Sequence, residues 1–260
     1  MTNGNSAKNL RIGFTERGDG GLDTSWFEKA GTVDGVSVVT KNVTVNCAER
    51  LLELARRGYP VLLHAGCTGW GGTCVEPRVP TAEVQVQSVR KLIDCGFDPA
   101  HVTLRIDPVI PTPEGLDRAR RVIALARSHG LLPGLRVRLS VLDDYKHVKE
   151  RFRALGLEPV YPEGQFHAST EQFMAVEQII RDNPDVRFET CAEPFMAVLP
   201  NCERLGCLSR RDLDVMGLEY DKDFVNPQGR GGCLCLGAKT ELLTHKHRCP
   251  HQCAYCYWRD

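Results

Sequence analysis

The densest chemistry in the sequence lies near its C-terminal end. RCPHQCAYCYWRD places Cys249, Cys253 and Cys256 with three and then two intervening residues, and Tyr255 directly precedes the third thiol. Three thiolates on so short a loop can each bind one iron of a [4Fe–4S] cube. The fourth iron then lacks a protein ligand and is open to chelate a small molecule. Zinc is the competing reading of the same thiols. It wants four ligands, and His245, His247 or His251 can supply the fourth.

A second set of thiols stands apart from this loop. Cys191 occurs in CAEP, Cys207 in LGC, and Cys233 and Cys235 in the glycine-rich GRGGCLCLG. Cys-x-Cys among glycines is a poor core pattern, because glycine has no side chain to pack. Four such thiolates suit an auxiliary [4Fe–4S] cluster, with Cys202 able to replace any one of them. A zinc site is the alternative. The chain has 12 Cys in 260 residues, and eight of them fall within residues 191–260. The opening MTNGNSAKNLRIGF has no apolar run of signal-peptide length, so the expectation is a cytoplasmic protein. A reducing compartment favours metal-binding or catalytic thiols over disulfides.

These residues need a scaffold, and the pattern of the chain supplies one. Short β-branched runs at 11–17, 35–42, 59–67, 101–110, 134–142 and 186–194 read as strands. The strand at 101–110 is expected to stop at Pro108. Helical patterns at 46–58, 80–96, 112–130, 143–156 and 169–184 lie between them, several closed by glycine. TELLTHKHR (240–248) is a last strand candidate, and roughly 195–240 has little periodicity. Alternating strands and helices predict a parallel α/β sheet, best matched by a TIM-like (β/α) barrel, full or partial; a doubly wound open sheet is the alternative. Residues 1–194 carry the barrel units, 195–239 an auxiliary metal-binding segment, and 240–260 the last strand and cysteine loop. In a barrel the C-terminal strand ends converge on one site. Here those ends carry Glu16, Lys41, His64, Cys67, Arg105, Asp107, Glu189, Cys191 and Glu193.

CxxxCxφC, with φ aromatic, resembles the signature of the radical S-adenosylmethionine (SAM) superfamily, and CPHQCAYCY is especially similar to the loop of its spore photoproduct lyase branch. The resemblance implies that the open iron binds SAM. It implies reductive cleavage to methionine and a 5′-deoxyadenosyl radical, which abstracts a substrate hydrogen. It also implies an electron donor such as flavodoxin or ferredoxin, and a full or partial (β/α) barrel. The family normally carries the loop after its first strand, so its position here implies a circular permutation, with RIGFTER following TELLTHKHR in space. GCTGWGG, EPRVP, RIDPVI, CAEP, GGCLC and CPHQCAYCY together resemble an uncharacterised bacterial and phage family that shares this C-terminal loop.

Under this reading Cys67, His64 and Glu189 are the candidates for catalysis, Cys67 as a hydrogen donor to a product radical. Glu16, Lys41, Arg105, Asp107, Glu193 and Tyr255 are candidates for binding SAM or substrate, and Cys191, Cys207, Cys233 and Cys235 for the auxiliary cluster. Trp70, Tyr257 and Trp258 can stack on a base or shield a cluster. The substrate is a small molecule, a lysine or peptide, or a modified nucleobase in DNA. Residues 117–153 hold ten Lys/Arg against four Asp/Glu, a basic stretch able to meet phosphates. The whole chain has 33 basic and 33 acidic residues and no net charge, so bulk attraction to nucleic acid or an anionic membrane is not expected. No apolar run reaches the ~18–20 residues a membrane span requires. The competing functions are a non-catalytic iron–sulfur electron carrier or redox sensor, and a zinc-stabilised nucleic-acid-binding protein.

Overall fold

The computed structural model describes residues 10–193, 196–220, 234–243 and 249–258. The chain runs β1 (Ile12–Phe14), α1 (Trp26–Lys29), β2 (Gly35–Thr40), α2 (Val45–Arg56), β3 (Val61–Gly66), α3 (Ala82–Asp94), β4 (Val102–Val109) and α4 (Pro113–Ser128). It continues with β5 (Arg136–Val141), α5 (Lys146–Ala154), α6 (Thr170–Arg181), β6 (Phe188–Thr190), β7 (Cys202–Arg204), α7 (Arg210–Val215) and β8 (Lys239–Glu241). The eight strands form one sheet in the order β7-β6-β5-β4-β3-β2-β1-β8, and every pairing is parallel. This is an α/β fold whose sheet draws strands from all three segments set out above.

Four of the helices, α2, α4, α6 and α7, start where a side chain satisfies a free N–H group. Thr44 accepts from the Cys47 amide, Thr112 from Gly115, and Ser169 forms a reciprocal capping box with Gln172. Alternation along the strands then sorts the residues into two faces. Val36, Val38, Leu63, Leu104, Val137 and Leu139 pack in one large apolar cluster with Leu51, Val86, Val122 and Ile179 of α2, α3, α4 and α6. The opposite face is different. Phe14, His64, Arg105, Arg136, Arg138 and Glu189 are all buried there, and α7 brings Asp212, Leu213 and Met216 against it.

Sheet neighbours follow chain order from β1 to β7, and β8 returns to lie beside β1. Among the described residues β7 and β8 are not paired with each other, although the segments next to them touch: the Leu236 amide donates to the Leu208 carbonyl at 3.0 Å. Pro108 does not end β4. The strand runs on to Val109 through a register shift between Ile106 and Val109, a bulge that accommodates proline and re-aims Asp107. The segment without visible periodicity holds β7 and α7; of the strand expected at 240–248, β8 covers only Thr240 and Glu241, and 244–248 lie outside the described residues. No helix among the described residues is long and apolar enough to cross a membrane.

Candidate functional site

A cavity of about 210 Å³ opens at the C-terminal ends of the strands. Glu16 follows β1, Thr40 and Lys41 close β2, Gly66 closes β3, Arg105 and Asp107 come from β4, and Ser140 and Val141 from β5; all line it. Much of the remaining wall is the cysteine loop, which contributes Cys249, His251, Cys253, Tyr255, Cys256, Tyr257 and Trp258. All three thiols of the CxxxCxxC spacing therefore face one space together with the convergent polar strand ends.

The loop holds its shape through contacts from distant parts of the chain. Gln252 turns it with a positive φ of 53°. The Ala254 amide donates to the Val75 carbonyl at 2.8 Å, and Arg151 of α5 donates to the carbonyls of Ala254 and Cys256. His251 is not a free ligand beside the cysteines. Its Nε2 meets Asp19 at 2.9 Å and its Nδ1 the Arg78 carbonyl at 3.1 Å. Asp19 also accepts from the Thr40 hydroxyl at 2.6 Å and from the Gly21 and Lys41 amides. Burial opposes charge on both partners, but their pairing prevails: the Asp19 carboxyl is held below, and the His251 ring above, its ordinary range.

The cavity's polar residues come as pairs. Lys41 meets Glu76 at 2.9 Å and lies over the Tyr255 ring at 5.3 Å, and the Tyr255 hydroxyl donates to Glu76. Burial works against the Lys41 ammonium, yet the Glu76 carboxylate outweighs it and raises its pKa. Arg105 pairs with Asp107, whose other oxygen accepts from Ser140, and Lys239 meets Glu16 at 2.8 Å. Burial pushes the Cys249 thiol up to about 11 and Cys253 higher still. A metal taking these sulfurs must displace their protons.

Of the residues expected at the site, Glu16, Lys41, Arg105, Asp107 and Tyr255 line this cavity beside the three cysteines. Cys67 lies elsewhere: it packs in the helix-side core, and burial raises its thiol to about 12. His64 lies deeper on the opposite sheet face, edge-on to Phe14, with neither ring nitrogen bonded among the described residues. Burial first, and then Arg138, hold it well below the usual histidine range. Glu189 is occupied by Arg136, Arg138 and Arg211. Glu193 accepts from the Val141 amide beside the cavity wall, and burial lifts it to about 7. Trp70 packs behind the loop in one cluster with Cys253 and Tyr255, under the Arg118 guanidinium.

The second thiol set also assembles. Cys191, Cys207 and Cys235 are buried, and their sulfurs lie within 4.8 Å of one another, a group able to hold a metal ion or cluster. Cys233 lies outside the described residues, as do His245 and His247. Cys202 packs in the helix-side core. The basic stretch is largely spent within the chain. Arg118, Arg121 and Arg127 pair with Glu114, Asp117 and Asp185, and Arg136 and Arg138 are buried in ion pairs. Lys149 donates to three backbone carbonyls, and Arg153 meets Glu163.

Sequence reasoning missed Asp19, Glu76, Arg151 and Asp212. Glu76 was within reach, since it lies in the EPRVP that follows the glycine-rich loop. The others carry no local signal.

Fold and site together define a parallel α/β protein with a thiol-lined cavity at its strand ends and a separate buried thiol triad. The chain belongs to the family of the domain of unknown function DUF1848, whose model matches residues 25–258. The match spans β2 to β8 and the whole cysteine loop, and leaves β1 outside. No curated protein matches the chain.

Proposed function

We propose that this protein is a radical SAM enzyme with a circularly permuted (β/α) barrel. The observation that carries the reading is that Cys249, Cys253 and Cys256 share one cavity with the charged ends of β1, β2 and β4. The donor set fits a cube with one open iron: three thiols on one loop, and no other described cysteine lining that space. When bound, the cluster supplies the electron that cleaves SAM and so the radical that takes a substrate hydrogen.

The chain's own residues do the positioning. Arg105 and Lys41 offer cations to a carboxylate, and Asp107 and Glu16 offer acceptors to an ammonium or to ribose hydroxyls. Tyr255 is held by Glu76, so its ring is a fixed wall beside Cys253. Tyr145, Tyr257 and Trp258 line the outer part of the cavity and shield it from water. The return of β8 beside β1 supports the permutation: the strand that leads to the cysteine loop lies next to the chain's first strand. The reading also gives the Cys191, Cys207 and Cys235 triad a metal, and the enzyme a flavodoxin- or ferredoxin-like electron donor. With the basic stretch committed internally, a small molecule or a single extruded nucleobase suits the cavity better than recognition of a long nucleic-acid surface.

The test is anaerobic purification, quantification of iron, sulfide and zinc, and electron paramagnetic resonance of the reduced protein with and without SAM. The expected result is about four irons at the first centre, a spectrum that changes with SAM, and 5′-deoxyadenosine on reduction. Cys253→Ala should abolish that product while leaving most of the fold intact. Zinc without iron, or an iron signal blind to SAM, would overturn the reading.

A further inference from the structure

The thiols of the second set are closer together than a four-iron cube allows. Cys191 Sγ and Cys207 Sγ are 3.5 Å apart, and all three sulfurs fall within 4.8 Å. Thiolates bound at ~2.3 Å around one tetrahedral ion stand about 3.8 Å apart. A cube places its thiolates on separate corner irons and spreads them wider.

The backbone brings two of the three thiols close. A Cβ on Gly206 would lie 2.5 Å from both Cys235 Cα and Cys235 N, so only glycine admits this approach. The Cys207 amide donates to Cys235 Sγ at 3.1 Å, and the Leu236 amide to the Leu208 carbonyl at 3.0 Å. The segments carrying Cys207 and Cys235 are thereby joined. Cations stand close to these sulfurs. Arg105 Nη2 lies 3.8 Å from Cys207 Sγ, and Arg138 donates to the Cys207 carbonyl at 2.7 Å. Three thiolates around a dication leave one negative charge, and Arg105 stands against it.

We infer that Cys191, Cys207 and Cys235 form a three-thiolate site for a single thiophilic ion, zinc or ferrous iron, rather than for a second iron–sulfur cube. This deepens the metal role given to the triad above and specifies its occupant. It does not depend on SAM chemistry. Arg105 also pairs with Asp107, so one guanidinium spans from this site to the wall of the main cavity.

The test removes the first centre and counts what remains. A variant carrying Cys249→Ala, Cys253→Ala and Cys256→Ala is purified anaerobically and assayed for metals and acid-labile sulfide, then by X-ray absorption at the zinc or iron edge. The expected result is about one ion per chain, no sulfide, and sulfur neighbours near ~2.3 Å. No retained metal, or about four irons with matching sulfide, would overturn the inference. If that variant fails to fold, the wild type is compared with Cys191→Ser/Cys207→Ser. Loss of about one ion, with the sulfide content kept, supports the site; unchanged metal content or lost sulfide rejects it. A wild type that holds this ion but no cluster would sink the radical reading and leave the ion site standing.

Discussion

Glu241 shows how one half-buried carboxylate can be read by pH. It accepts from the amides of Glu16, Arg17 and Leu243, yet burial dominates and lifts its pKa from 4.5 to about 7. The folded state then holds a proton that the unfolded chain releases between pH 4.5 and about 7. Stability falls across that window and carries a constant penalty above it. Glu241→Gln removes the titration but replaces one acceptor oxygen with a donor, which adds a pH-independent cost. The melting temperature of the variant relative to wild type should therefore rise from pH 5 to pH 8. A difference that stays flat would mean the carboxylate is not perturbed in the folded protein. Asp19 is the opposite case, a buried carboxylate satisfied as an anion. Asp19→Asn should cost about 1–3 kcal/mol in urea unfolding, as expected for hydrogen bonds to a charged group. It should also lower the iron content, because His251 would lose its anchor inside the cysteine loop. Residues such as these were not legible in the sequence. The thiol spacing is local and announces itself, whereas Asp19 and His251 are 232 positions apart.

At the scale of elements, length decided what could be read. Helices of 12 to 16 residues show their period plainly. β7 has three residues and α7 six, too few to display a period, and they lay hidden in a stretch of cysteine and glycine. The 66–80 loop was legible as a glycine-rich motif, but not as the seat of the cysteine loop. Gly71 lets it fold back, since any Cβ there would enter the Pro80 carbonyl. That fold brings Val75 to Ala254, and Glu76 to Tyr255 and Lys41. Gly71→Ala should destabilise the protein by about 1–3 kcal/mol, the range for forced overpacking. Under the proposed cluster assignment it should also reduce iron retention by the cysteine loop. A variant that melts lower but keeps full iron would show that the loop is merely packed there and not a support.

At the scale of the whole molecule, strand order and the buried charges belong to one design. One face of the sheet carries a tight ionic group: Arg138 meets Glu189 at 2.6 Å and Asp212 at 3.1 Å, and Arg136 meets both. Asp212 comes from α7, so this group fastens the late segment across β5 and β6. Arg138→Met would leave two carboxylates buried and undercompensated, with an expected cost of about 3–5 kcal/mol. The alternation of strands and helices made the parallel sheet legible, but the position of β8 became visible only in three dimensions. Because β8 lies beside β1, the order of segments along the chain should be dispensable. Residues 221–260 moved ahead of residue 1 would keep β8 next to β1. A chain so rearranged, ending at residue 220, should show the helical and strand content of the wild type by circular dichroism. It should melt cooperatively and take up the same iron per chain. Aggregation, or a folded chain without iron, would mean that the covalent link from α7 to β8 is needed to set the cysteine loop over the cavity.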